Sequence, residues 1–128
     1  MSRFMKVVNI LLCYVQSECW DNFHRKLVSG NSTFNVSVVN SFRELVRQTE
    51  NVCNDVILLD WEMPGKSPQV HIDFVVRTCP NSKLIVLTTD PRLEYLARQT
   101  DVNVFSLTRE NIGDLMSIVR NEVNLSVG

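Results

Sequence analysis

One acidic residue stands where a parallel sheet would gather reactive groups. Asp60 ends a short apolar run that begins at Asp55, and a turn-forming segment with two prolines and a glycine follows it. In an open parallel sheet, functional groups lie in the crevice beyond the carboxyl ends of the strands. Among the predicted strand ends, only Asp60 ionises near neutral pH. Asp60 is therefore the first candidate functional residue, although a carboxylate there can also simply accept backbone N–H groups.

The histidines and cysteines do not form a recognisable site. His24 and His71 have no Ser, Cys or Asp at triad spacing and are predicted to be surface or helix-face residues. The cysteines are far apart, with no C-x-x-C pair, so no metal site is expected. Because no secretory signal is recognisable, they are predicted to be reduced, mostly buried thiols. They are Cys13, Cys19, Cys53 and Cys79.

Strand-like and helix-like segments alternate along the chain. Apolar or β-branched runs indicate five strands, at residues 6–15, 33–39, 55–60, 83–89 and 102–107. Helical spacing follows each run, and capping residues mark helix starts after Ser17, Ser41, Asp90 and Asn111. This alternation predicts an α/β fold, a doubly wound parallel five-stranded sheet with helices on both faces.

Composition and charge limit the remaining classes of protein. The chain has 128 residues, a formal net charge of -1, 45% hydrophobic residues and 21% charged residues. These values are typical of one globular domain, and no repeat or linker-like segment divides the chain. The near-zero charge gives no reason to expect direct nucleic-acid or membrane binding. No apolar run approaches the roughly 20 residues of a membrane-spanning helix. We therefore expect one cytoplasmic domain over residues 1–128.

Three segments together resemble the receiver domains of response regulators. Residues 56–65, with the sequence VILLDWEMPG, are similar to the family's phosphoacceptor segment, with Asp60 at the phosphoacceptor position. Residues 84–90 resemble the strand with the family's phosphate-contacting Thr or Ser, here Thr88. Residues 102–108 resemble the segment with its switch aromatic, here Phe105. The resemblance covers essentially the whole chain and implies the CheY-like, flavodoxin-like fold. It is greatest for receivers of LuxR/NarL-type transcription regulators.

The chain departs from the family at the residues that support phosphoryl transfer. Tyr14 and Val15 stand where the family has two adjacent acidic Mg²⁺ ligands, and Thr108 stands where it has a lysine. A metal and a cation stabilise the charge of a transferring phosphoryl group. The resemblance therefore implies weak or absent Mg²⁺ binding at Asp60, with the Glu62 backbone carbonyl as the family's remaining metal contact. No cofactor is expected.

The same pocket positions also have plain structural interpretations. Thr88 can hold a loop in place, and Phe105 can be ordinary packed core. Tyr14 can fill the space of the missing acidic residues, with its hydroxyl directed to Asp60 or to water. Glu62 or Glu18 could supply a replacement carboxylate, but the sequence does not place either one.

The leading functional hypothesis is an atypical receiver, a signalling and dimerisation module whose output needs no phosphorylation and which is not an enzyme. As the resemblance implies, it would be the N-terminal part of a bacterial transcription regulator that contacts DNA only through a C-terminal domain outside this chain. The first alternative is a conventional receiver, phosphorylated on Asp60 by a histidine kinase. A weaker alternative is a small phosphotransferase of the haloacid-dehalogenase type, suggested by the spacing of Asp60 and Glu62.

The resemblance also implies a homodimer. LuxR-type regulators commonly bind paired half-sites, so two chains must be held together. The family's usual dimer surface runs from the fourth to the fifth helix, and the first and fifth helices form the second candidate surface. In this chain the first surface would offer both apolar and charged residues. They are Leu93, Tyr95, Arg98, Arg109 and Asp114.

Overall fold

Five strands and five helices follow one another along the chain. The computed structural model describes residues 7–30 and 33–127, with side chains over 7–29 and 33–121. The strands are β1 (Val8–Cys13), β2 (Phe34–Val39), β3 (Val56–Asp60), β4 (Lys83–Thr88) and β5 (Asn103–Ser106). The helices are α1 (Glu18–Gly30), α2 (Phe42–Asn51), α3 (Pro68–Thr78), α4 (Pro91–Ala97) and α5 (Ile112–Val127). The predicted α/β alternation is confirmed, while Lys6, at the start of the first predicted strand, lies outside the described residues.

All five strands are parallel and form one sheet in the order β2-β1-β3-β4-β5. Leu12 of β1 lies opposite Leu58 of β3, and Asp60 lies opposite Leu87 of β4. The chain leaves β1 for one edge of the sheet and returns to β3 on the other side of β1. This reversal opens a crevice beyond the carboxyl ends of β1 and β3, where α/β proteins bind their ligands. Asp60 is the last residue of β3 at that crevice.

Two apolar layers cover the sheet because side chains alternate along each strand. Ile10 and Leu12 point into a layer that includes Trp20 of α1 and residues of α5. Leu11 and Cys13 point into the opposite layer, which α2 and α3 close. Burying each large aliphatic side chain contributes about 2 kcal/mol. The buried strands therefore hold the loops at their carboxyl ends in fixed positions.

Polar side chains define the helix starts. Ser17, Ser41 and Asp90 each accept a backbone N–H from two or three residues later, which confirms these caps. Asn111 directly precedes α5, but its side-chain oxygen accepts the N–H of Thr108 at 2.8 Å. Its side-chain amide donates to the end of β5 at 2.7 Å. Asn111 therefore stabilises the β5–α5 loop and does not cap the helix by side-chain acceptance.

A disulfide bond joins Cys53, in the α2–β3 loop, to Cys79, at the end of α3. The Cα atoms of the two cysteines are 5.6 Å apart. The prediction of four reduced thiols is therefore wrong for this pair, whereas Cys13 and Cys19 are free. The prediction rested on the expected compartment, and a sequence separation of 26 residues gives no sign that the two chain segments meet.

None of the helices in the described ranges is long and apolar enough to cross a membrane.

Candidate functional site

Asp60 is almost fully buried at the carboxyl end of β3, with 5% of its surface exposed. Its Oδ1 accepts the backbone N–H of Glu62 at 2.9 Å, and its Oδ2 accepts that of Val15 at 3.3 Å. Burial raises the pKa of Asp60 to about 6, and the charge of Glu62 adds to this, while the two N–H donors act in the opposite direction. Asp60 is therefore a carboxylate above neutral pH and becomes protonated under mildly acidic conditions.

Tyr14 directly follows β1 and is buried, and its hydroxyl points away from Asp60. Its ring stacks on Trp20, with centroids 4.7 Å apart and 3° between the planes. The hydroxyl donates to Asp21 Oδ1 at 3.2 Å, and the pKa of Tyr14 rises to about 12 through burial and this carboxylate. The expectation that the hydroxyl meets Asp60 is therefore wrong, because the stack on α1 fixes the ring. In the described part of the chain, the contact between Val15 and Asp60 is the hydrogen bond that the backbone N–H of Val15 donates.

The hydroxyl of Thr88 is engaged in a loop contact. Thr88 is fully buried, and its Oγ1 donates to the carbonyl of Asp90 and accepts the N–H of the same residue, each at 3.1 Å. Thr108 is half-buried in the loop that follows β5. Phe105 is also half-buried and packs against the apolar layer under α1 and α5. These contacts match the structural interpretations of Thr88 and Phe105, while their signalling roles stay predictions.

In the family that the sequence resembles, acidic residues at this site hold a Mg²⁺ ion, and the residues present here do not fit one. Mg²⁺ requires a nearly octahedral set of oxygen ligands, usually with carboxylates among them. Asp60 offers one carboxylate, and both of its oxygens already accept backbone N–H groups. Tyr14 is turned toward Asp21, and Val15 carries no ligand atom on its side chain. In the described part of the chain, no three His, Cys, Asp or Glu residues are grouped to hold a metal ion.

Glu18, one candidate for a replacement carboxylate, is paired with a cation. Its carboxylate lies 2.5 Å from the guanidinium of Arg109, and both side chains are mostly exposed. The pair joins the start of α1 to the loop after β5, next to Thr108. Because the pair is exposed, it contributes at most about 1 kcal/mol to stability. Glu62, the other candidate, is exposed and meets Asp60 through its backbone N–H.

The turn after Asp60 is held by two residues that the sequence interpretation did not connect. Gly65 has φ +125°, and a Cβ there would lie 2.6 Å from the Cβ of Phe42, so this position requires glycine. His71 is fully buried, stacks on Phe42 and accepts the N–H of Lys66 through Nε2 at 2.9 Å. His71 lies on α3, as a helix-face residue would, but it is buried, so the prediction of surface exposure is wrong. Its helical spacing from the buried Val75 is the signal that could have revealed this.

A cleft of about 400 Å³ lies on the other side of β1 from Asp60. Its lining combines polar groups with two valines: Tyr14, Val15, Gln16, Asp21, His24, Val38 and Asn40. The Tyr14 hydroxyl and the Asp21 carboxylate therefore belong to this cleft, whereas Glu62 is the carboxylate whose charge acts on Asp60.

Receiver domains of response regulators are among the solved structures that share this arrangement of strands and helices. A CheY-like receiver protein from Methanospirillum hungatei superposes with a TM-score of 0.77 at 15% identity, over 94% of this chain and 97% of that one. TrrA from Thermotoga maritima, in complex with Mg²⁺–BeF, superposes with a TM-score of 0.74 at 16% identity, over 90% of this chain and 98% of that one. RcsB from Salmonella enterica serovar Typhimurium, bound to a promoter, superposes with a TM-score of 0.69 at 15% identity, over 89% of this chain and 62% of that one.

These comparisons establish the fold. The predicted CheY-like architecture is confirmed, and the chain spans about three fifths of the RcsB chain. No protein-family model and no curated protein sequence matches the chain.

Proposed function

We propose that this chain is an atypical receiver module, which transmits a signal through protein contacts without Mg²⁺-dependent phosphorylation of Asp60 and without catalysing a reaction. One observation carries the proposal: both oxygens of the buried Asp60 accept backbone N–H groups, and Tyr14, Val15 and Thr108 stand where the family has two acidic residues and a lysine. Phosphoryl transfer depends on a metal ion and on cations that stabilise the charge on the equatorial oxygens. The conventional receiver, with Asp60 phosphorylated by a histidine kinase, is the alternative.

The likeness to promoter-bound RcsB supports a proposal about context. Because that chain is longer than this one, residues 1–128 would be the N-terminal domain of a cytoplasmic bacterial transcription regulator. DNA would be contacted by a further domain and not by this one, in keeping with the net charge of -1. The partners of this domain would then be proteins, and foremost a second copy of the same chain.

Phosphorylation can be tested with acetyl phosphate and intact-mass measurement. We expect the wild-type chain to keep its mass after incubation with the phosphodonor and Mg²⁺, and calorimetry to show no saturable Mg²⁺ binding below millimolar concentration. Val15→Asp combined with Thr108→Lys is the matched positive control, because it returns an acidic residue and the lysine at two accessible positions. A stoichiometric phosphoryl adduct on the wild type, lost in Asp60→Ala, would establish the conventional alternative.

The proposed homodimer uses α4. Tyr95 is 72% exposed, and the neighbouring Leu96 is also exposed, so two large apolar side chains of α4 face water in the isolated chain. Arg98 pairs with Glu94 at 3.2 Å on the same helix, which supplies a polar rim. Arg109, also predicted to take part in this surface, is exposed and pairs with Glu18 within the chain.

We expect the wild-type chain to sediment as a dimer at high micromolar concentration without a phosphodonor. Tyr95→Asp should shift it to a monomer, because the substitution places a charge in a desolvated contact. Val28→Asp, at an exposed apolar position on α1, is the matched control and should leave the dimer intact. A monomeric wild type would refute the dimer, and dissociation by Val28→Asp alone would assign the contact to α1 and α5.

A further inference from the structure

We propose that the Cys53–Cys79 disulfide is a thiol–disulfide exchange site, reduced by a protein that carries a reactive dithiol. This inference goes beyond the proposed function and does not depend on whether Asp60 is phosphorylated. It rests on the unequal exposure of the two cysteines, on exposed apolar residues close to them in the sequence, and on the part of the fold that the bond encloses.

The two cysteines differ in how a reagent can reach them. Cys53 lies in the α2–β3 loop and is exposed, whereas Cys79 is buried in the apolar layer that α2 and α3 close. An incoming thiolate must approach one sulfur of a disulfide directly. The geometry therefore makes Cys53 the attacked sulfur and Cys79 the leaving group.

Exposed apolar residues lie close to each of the two cysteines in the sequence. Val52, which precedes Cys53, is 45% exposed, and Val76 of α3 is 50% exposed. Val76 lies one helical turn before Cys79 and so shares its side of α3. Two of the exposed large apolar residues of the described chain therefore lie within three residues of a cysteine of the disulfide. They form a contact surface for a partner whose reactive cysteine is presented from an apolar rim.

The bond also encloses the candidate site. The segment between the two cysteines contains β3, Asp60, the turn with Gly65 and the whole of α3. The N-terminal part of α3 is held separately, by the hydrogen bond from Lys66 to His71 and by the stack of His71 on Phe42. Reduction therefore releases the last turn of α3 and the α2–β3 loop, while the apolar layers keep the fold.

The chemistry balances as a dithiol exchange. A thiolate of the partner attacks Sγ of Cys53, the bond to Cys79 breaks, and Cys79 leaves as a thiolate that takes up a proton. The second thiol of the partner loses its proton and attacks the mixed disulfide, which releases Cys53 as a thiolate that is then protonated. In total, the partner's dithiol loses two electrons and two protons and becomes a disulfide, and the two cysteines gain them.

The test uses a thioredoxin whose resolving cysteine is replaced by serine, so that the mixed disulfide accumulates. After incubation with the oxidised chain, this variant should be joined to it in a covalent complex that is visible on a non-reducing gel. Peptide mapping should identify Cys53 as the cysteine that is linked to the thioredoxin. Val76→Asp should slow complex formation about tenfold, because the added charge weakens the contact with the partner. A tenfold change corresponds to about 1.4 kcal/mol in the free energy of that contact. Val28→Asp, a matched exposed valine on α1, should leave the rate unchanged.

Any of four outcomes would overturn the proposal. They are the absence of a complex, a complex mapped to Cys79 or Cys19, equal rates for the two valine variants, and loss of the circular dichroism spectrum on reduction. The last would mean that the bond serves only to hold the domain folded. We expect the reduced chain to keep its spectrum and to gain hydrogen exchange mainly at the end of α3.

Discussion

Replacement of Cys53 by serine is expected to lower the free energy of unfolding by about 3 kcal/mol. The disulfide closes a ring across a sequence separation of 26 residues. In the chain-entropy account, closing a ring of that size restricts the unfolded chain enough to stabilise the native state by about 3.5 kcal/mol. Because Cys53 is exposed, serine leaves no cavity, and the loss comes from the bond itself.

Urea unfolding without reductant measures this difference directly. The wild type should unfold at a higher midpoint than Cys53→Ser, and a non-thiol reductant should remove the difference. Cys19→Ser is the control, because Cys19 is a free, half-buried cysteine whose replacement leaves the disulfide in place. Equal midpoints for the wild type and Cys53→Ser would show that the bond does not stabilise the domain.

Replacement of Asp60 by asparagine is expected to raise the free energy of unfolding by about 2 kcal/mol at pH 8 and to leave it nearly unchanged at pH 4. The pKa of Asp60 rises from 3.8 to about 6 on folding. Because the raised pKa belongs to the native state, the favourable contribution of this group is complete below pH 3.8 and is lost as the pH rises through about 6. A difference of about two pKa units corresponds to about 3 kcal/mol of destabilisation by the ionised Asp60 at pH 8. Asparagine removes this cost, but its neutral oxygen accepts weaker hydrogen bonds than the carboxylate, so the net gain in stability is about 2 kcal/mol.

Unfolding of both proteins between pH 4 and pH 8 checks the prediction, and the stability gain should grow between pH 4 and about pH 6 and level off above it. Asp101→Asn is the matched control, since Asp101 is exposed and its carboxylate stays in water in the folded chain. A gain that is the same at every pH, or no gain at pH 8, would contradict a costly buried carboxylate at position 60.

Local sequence pattern was enough to predict the fold. β3 is buried along its whole length, and its continuous apolar run indicates a strand covered on both faces. Ser41 followed by Glu44 marks the start of α2, and Asp90 followed by Pro91 marks the start of α4. Each signal lies within a few residues of the element that it specifies, so periodicity and capping chemistry suffice.

The contacts that define the site could not be predicted in the same way. The hydroxyl of Tyr14 turns to Asp21 because its ring stacks on Trp20, and no propensity describes that packing. Cys53 meets Cys79 only after α3 has folded back along the sheet. The position of Asp60 followed from the strand order, whereas its raised pKa depends on burial by the whole fold.

The two tryptophans give the molecule two separate optical signals. Trp20 is fully buried and stacked on Tyr14, so its emission lies toward shorter wavelengths and changes only when the layer under α1 comes apart. Trp61 is half-buried directly after Asp60, and its backbone N–H donates to Leu87. Its emission therefore follows events at the crevice while Trp20 serves as an internal reference. The natural chain thus carries its own ratiometric reporter, and no dye has to be attached near Asp60.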